Sequence, residues 1–156
     1  MKKLFLVLGL VLLVGCSGTI TGSVSTTANL KGAVGIASSI MAVDNNVSTI
    51  EGASITQTSY EIFNNTGGAG SLAFGVTTFG GDCSLITPVL TVPIIAATNI
   101  APTVSPEILT AMQAYYAVGQ HRVCIFYTQT DVNAPLNLSV RINITASKNY
   151  SYSTGL

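Results

Sequence analysis

The chain has 156 residues, of which 48% are hydrophobic and only 8% charged, where an ordinary soluble domain carries about 25% charge. Six Lys and Arg balance six Asp and Glu, beside one His, three Cys and no Trp; with no surplus of positive charge to neutralise phosphates, a nucleic-acid partner is excluded. The apolar content excludes a disordered acidic tail, and the length suits one domain.

The chain opens on two lysines, Lys2 and Lys3, followed by twelve mostly apolar residues from Leu4 to Gly15. As a helix that run is about 18 Å long at roughly 1.5 Å per residue, short of the bilayer's hydrocarbon core of about 30 Å. It has the form of a secretory signal h-region, with the lysines retained on the cytoplasmic side.

The run ends in Leu13-Val14-Gly15-Cys16, which resembles the lipobox of bacterial lipoproteins. The resemblance implies that residues 1–15 are a signal peptide and that Cys16 becomes the first mature residue, its sulfur diacylglycerylated and its new amino group often acylated as well. Two or three palmitate-like chains make a lasting anchor at about 0.8 kcal/mol per buried CH₂, where one would be marginal. Ser17, rather than Asp, follows the cysteine, a pattern similar to outer-membrane sorting in Gram-negative lipoproteins. The expected partner is therefore a membrane of the cell envelope, reached through Cys16. Two other readings stay open: a soluble secreted protein, and a cytosolic one with an apolar first helix.

With Cys16 modified, Cys83 and Cys124 remain as an even pair in an exported chain, which in an oxidising compartment favours a disulfide. Two free buried thiols are the alternative. Two Cys and one His are too few for a closed zinc site, and there is no CxxC redox spacing. After residue 15 the cations Lys31, Arg122, Arg141 and Lys148 face six acids, a net charge of −2. Such a surface is polar through Ser, Thr, Asn and Gln and steers partners weakly.

Residues 16–28 have the Ser/Thr/Gly composition of a tether, although alternation from Thr19 also allows a first strand there. ITGSVS followed by LKGAVGI is similar to the opening of carboxypeptidase-regulatory-like or transthyretin-like β-sandwich domains. Residues 29–147 are expected to form the folded domain. Gly32 to Val43 reads as buried strands or a short helix, and Asp44-Asn45-Asn46 as a turn. Ile50, Ala53, Ile55 and Thr56 to Phe63 read as a strand, Asn64 to Gly70 as a loop, and Ser71 to Phe79 as a strand with Leu72, Phe74 and Val76 on one face. Gly80-Gly81-Asp82 then turns the chain into Cys83.

The apolar stretch 85–101 is broken by Pro88 and Pro93, which mark edges or strand ends because proline donates nothing to a ladder. It reads as core strands with a packed connection, or as an exposed patch. Ser105-Pro106-Glu107 is a helix start, with a capping hydroxyl, a proline in the first turn and an acid at the positive end. It predicts a short helix near 106–114 with Ile108, Leu109 and Met112 on one face. Tyr115 to Val118 and His121 to Thr128 suggest a hairpin around Gly119-Gln120. Leu136 to Thr145 alternates apolar and polar for ten residues, the pattern of a half-buried strand. Residues 148–156 read as a polar tail.

Together these features predict an all-β protein, an antiparallel β-sandwich, immunoglobulin-like in the loose sense, with Cys83 and Cys124 spaced for an inter-sheet bridge. The chemistry-bearing residues form no recognisable site. His121 has no adjacent acid, the six acids are scattered, there is no GxSxG elbow, and Gly67-Gly68-Ala69-Gly70 lacks the Lys-Ser/Thr of a phosphate loop. The five N-x-S/T sequons, at Asn46, Asn64, Asn137, Asn143 and Asn149, are compositional. No catalytic residue, metal or cofactor is expected. The sequence points to a non-enzymatic envelope lipoprotein, a structural or protein-binding module whose partner is the membrane and another envelope protein. The competing expectation is a small ligand carrier or hydrolase with a pocket near 85–101, and a third is assembly through an edge at Leu136–Thr145 or at the proline-broken stretch.

Overall fold

The computed structural model of the protein describes residues 16–31, 38–46, 52–78, 80–115, 120–130 and 134–152. Among the described residues the strands are β1 (Cys16–Lys31), β2 (Ser38–Asn46), β3 (Ser54–Phe63), β4 (Gly70–Thr78), β5 (Leu90–Ile94), β6 (Ile100–Val104), β7 (Gln120–Gln129) and β8 (Asn137–Tyr152), with the helix α1 (Pro106–Tyr115) before β7. The alternating stretch that begins at Leu136 is the spine of the first sheet. Leu138, Val140, Ile142, Ile144 and Ala146 point into the core, and β8 lies between β1 and β3. With partners on both sides it offers no free edge, which corrects the expectation of assembly through Leu136–Thr145.

The sheets are β1-β8-β3-β6 and β2-β7-β4-β5, each of four strands and antiparallel throughout. Four of the pairings are nested: β1 with β8, β2 with β7, β3 with β6, and β4 with β5. The chain is thus one long hairpin with its tip at β4–β5, folded over so that alternate rungs fall in opposite sheets. That is the double-sheet jelly roll. The expected antiparallel sandwich is present, but its strand order differs from the immunoglobulin arrangement.

Between the sheets, Leu72, Phe74 and Val76 of β4 and Val123, Ile125 and Tyr127 of β7 meet the apolar face of β8. Tyr60 and Phe74 touch across the sandwich with ring centroids 5.4 Å apart. The predicted helix forms where its capping signal lies. The Ser105 hydroxyl accepts from the Ile108 amide at 3.3 Å, and Ile108 and Met112 are fully buried. Ser105 is itself fixed to β3, its carbonyl accepting from the Thr58 hydroxyl at 2.7 Å and its amide donating to the Thr58 carbonyl at 3.0 Å.

Several local expectations change. The first strand that alternation allows from Thr19 is present, and it takes in the expected tether as well: β1 pairs rung for rung with β8 from Cys16 as far as Lys31. By the same pairing residues 148–152 belong to a strand instead of a tail. A Ser/Thr-rich segment composes equally well as a tether or as a strand with one wet face, and only the partner strand decides. Asp44-Asn45-Asn46 lies within β2, where Asp44 faces Arg122, so a charge pair across the ladder outweighs the turn composition. Tyr115 ends α1 instead of opening a strand, and β7 pairs with β2 and β4. Residues 32–37, Ile50 and the turn at 116–119 lie outside the described residues.

Both prolines within strands sit on edges, Pro93 in β5 and Pro102 in β6, as the missing N–H requires. In the 85–101 stretch, Val92 and Ile94 enter the core while Leu85, Val89 and Ile95 are exposed. The stretch is therefore an edge strand with its connections, and its exposed side chains are distributed along it.

Candidate functional site

Antiparallel pairing sends the connections to two ends of the sandwich. β2, β4 and β6 finish at the end that carries Cys16 and Tyr152, and β1, β3, β5 and β7 finish at the other. At the second end a buried Asn65 ties two loops together, its own between β3 and β4 and the one between β5 and β6. Its Nδ2 donates to the carbonyls of Ile95 at 3.0 Å and Thr98 at 2.8 Å, its Oδ1 accepts from the Gly67 amide, and its amide donates to Asn99. The preceding residue, Asn64, takes φ +52°, the left-handed conformation that Asn tolerates.

The Cys16 end has a different form. The last rung of β8 with β3 is Ser147 opposite Ser54, and beyond it residues 148–152 pair with 16–20 alone among the described residues. These five rungs form a two-stranded ribbon that carries Cys16 about 17 Å past the last rung of β8 with β3, at roughly 3.4 Å per residue. Within it the Thr19 hydroxyl donates to Asn149 Oδ1 at 2.7 Å. Tyr150 stands opposite Gly18, and a methyl group at Gly18 would overlap the phenol ring, so glycine lets the ring lie across the neighbouring strand. An open depression of about 440 Å³ here is lined by Ser17, Gly18, Thr19, Asn149, Tyr150 and Ser151. It is neutral and rich in hydroxyls, and it lies away from the 85–101 stretch where a pocket was anticipated.

Cys83 and Cys124 are bonded, with Cα atoms 5.4 Å apart. The bridge does not join the sheets, which corrects the immunoglobulin-like expectation. Cys83 opens a 3-10 turn, Cys83–Leu85, in the β4–β5 connection, and Cys124 belongs to β7 of the same sheet. It fastens that connection over the sheet's outer face, where Gly75 opposes Cys124 and a methyl at Gly75 would come within 2.7 Å of Ile86.

Arg122 reinforces the same connection. It grips Asp44 through two bonds of 2.7 and 2.9 Å and donates a third, at 2.9 Å, to the Gly81 carbonyl. The hydrogen bonds from Arg122 hold the Asp44 carboxyl below its ordinary range, and the same contact raises the guanidinium. Asp82 caps the turn by accepting from the Ser84 amide at 2.8 Å, which lowers its own pKa. Sequence reasoning missed both the Asp44 pair and Asn65: opposite charges 78 residues apart become partners only once the register is known.

His121 belongs to β7, and its side chain lies outside the described residues. Among the described residues no group of three or more His, Cys, Asp or Glu could hold a metal, and no helix is long and apolar enough to cross a membrane. Burial raises the Tyr127 phenol, whose hydroxyl has no hydrogen-bond partner among the described residues.

No protein-family model matches the sequence, and no curated protein is similar to it. Among the solved structures with a distant likeness are two viral chains. One is a chain of Desmodium yellow mottle tymovirus, 10% identical, covering 88% of this chain and 91% of that one, with a TM-score of 0.42. The other is a chain of infectious bursal disease virus strain Gx, 14% identical, covering 91% of this chain and 38% of that one, with a TM-score of 0.25.

Proposed function

We propose that this protein is a lipid-anchored module of a bacterial cell envelope, held by acyl chains on Cys16 and acting without catalysis as a structural or protein-binding domain. The observation that carries the reading is the order Lys2-Lys3, a short apolar run, and Leu13-Val14-Gly15-Cys16. Two or three acyl chains hold such a domain durably at a bilayer.

The folded chain supports this reading in two ways. Its disulfide suits an oxidising compartment, and the cysteine that would be acylated is held in the β1–β8 ladder, opposite Tyr152. An anchored domain built this way has little slack: its position over the membrane is set by a paired ribbon. The connections tied by Asn65 then face outward and are the surface available to another envelope protein.

The test is the intact mass of protein extracted from membranes. The expected product begins at Cys16 and carries the added mass of two or three acyl chains, removed by Cys16→Ser. A soluble chain with an unmodified cysteine overturns the proposal.

A further inference from the structure

We propose that the ribbon formed by residues 16–20 and 148–152 is a lipid-contact element, in which Tyr150 rests among the headgroups and the hydroxyl-lined depression beside it receives a headgroup. The inference rests on the acylation of Cys16 and adds to it a specific contact between the folded chain and the bilayer surface.

Geometry carries the argument. Tyr150 lies opposite Gly18, two residues from Cys16, which is about 7 Å along the strand. The polar zone on each side of a bilayer is about 5–8 Å deep, the difference between total and hydrocarbon thickness shared by two leaflets. A ribbon whose tip is fastened at the acyl chains therefore holds Tyr150 within or at the edge of that zone. Tyrosine suits the place, with an apolar ring and a hydroxyl that stays hydrated.

The side chain is free for this contact. Tyr150 is 46% exposed, and Ile20, on the same face one rung pair higher, is 54% exposed. Gly18 gives the ring a flat seat where any side chain would displace it. From the other face of the ribbon, where side chains alternate with Gly18 and Tyr150, Ser17, Thr19 and Ser151 present hydroxyls and Asn149 an amide to the depression that Tyr150 also lines, uncharged donors suited to the phosphate and ester oxygens of a phospholipid. Lys148 is the only charged residue in the ribbon. The contact is therefore expected on zwitterionic as well as anionic lipid, unlike polybasic attachment, which depends on anionic lipid and is screened by salt.

The chain contains no Trp, so Tyr150→Trp creates a single fluorescent reporter at the site. The full lipoprotein, extracted from membranes and reconstituted on phosphatidylcholine vesicles, is compared with Thr130→Trp, an exposed position at the opposite end. The expected result is blue-shifted emission at position 150 and quenching by headgroup spin label several-fold stronger than at position 130, with little change when phosphatidylglycerol replaces part of the lipid. Ile20→Trp reads the same face should Tyr150→Trp fail to fold, and it should be quenched less because it lies about 14 Å from Cys16.

Protein that floats with the vesicles while positions 150 and 20 both emit and quench like position 130 overturns the contact and leaves the anchor standing. Blue-shifted emission without lipid quenching means that protein covers the ribbon, and overturns it too. Protein that carries no acyl chain and does not float overturns the anchor and the contact together.

Discussion

Arg122 shows how one side chain can organise a loop. It donates to both carboxylate oxygens of Asp44 on the neighbouring strand and to the Gly81 carbonyl in the connection beyond β4. The arrangement has a pH signature. Since the Asp44 pKa is lower in the folded chain than its ordinary 3.8, the unfolded chain binds more protons as the pH falls through that region. The stabilisation is complete above 3.8 and is lost as pH falls through the depressed value. Asp82 titrates in the same direction, through its bond to the Ser84 amide. Urea unfolding across the acid range should therefore show a stability gap between wild type and Asp44→Asn that is constant near neutrality and closes in acid. A gap that widens on acidification contradicts the assignment. The pair is partly exposed, so the gap should be small beside that of a core truncation such as Ile142→Ala, about 2–5 kcal/mol.

At the scale of elements, the disulfide and the helix do different work. The bridge closes a loop of 41 residues that runs through β5, β6 and α1 before returning to β7, worth roughly 4 kcal/mol by the chain-entropy account. The core side chains of β4 and β7 point away from it into the sandwich, so they do not depend on the sulfurs for packing. Replacing both cysteines by Ala should lower the unfolding free energy by about that amount while the far-UV spectrum stays that of a β-protein. An unchanged denaturation midpoint would show that the bridge does not constrain the unfolded chain. The helix depends instead on Ser105, which closes its first turn while its backbone pairs with Thr58. One residue thus starts α1 and fixes it to β3, with Ile108 and Met112 completing the core.

For the molecule as a whole, the nested hairpin has a kinetic consequence. The β1–β8 rungs join residues from 106 to 136 apart, as in Lys31 with Asn137 and Cys16 with Tyr152. Pairing at such separation pays loop-closure entropy before any contact forms, so topologies of this kind fold in milliseconds to seconds or more slowly. Stopped-flow refolding with the disulfide intact should fall in that slow range, and a single phase in microseconds would contradict the topology. The same nesting brings both ends of the described chain to one end of the sandwich. An anchor at Cys16 would thereby set which loops face the membrane and which face outward.

Much of this was legible in the residues themselves. Alternation from Leu136 to Thr145, the face of Leu72, Phe74 and Val76, the helix start at Ser105 and the loop at Asn64 to Gly70 are all present in the fold. Each is a local property: side-chain period, a cap or a permitted φ needs only neighbours in sequence. The cysteine pair followed from counting, but its position on one sheet did not, because spacing along the chain carries no information about which strands lie side by side. The candidate site divides the same way. Sequence alone gives the short apolar run that ends at Cys16, since an order of residues along the chain needs no fold to be read. Only tertiary structure decided that residues 16–20 form a ribbon with 148–152, that Tyr150 lies across Gly18, and that Asp44 meets Arg122. Those relations depend on strand register, and register is fixed by the burial of the whole apolar face at once.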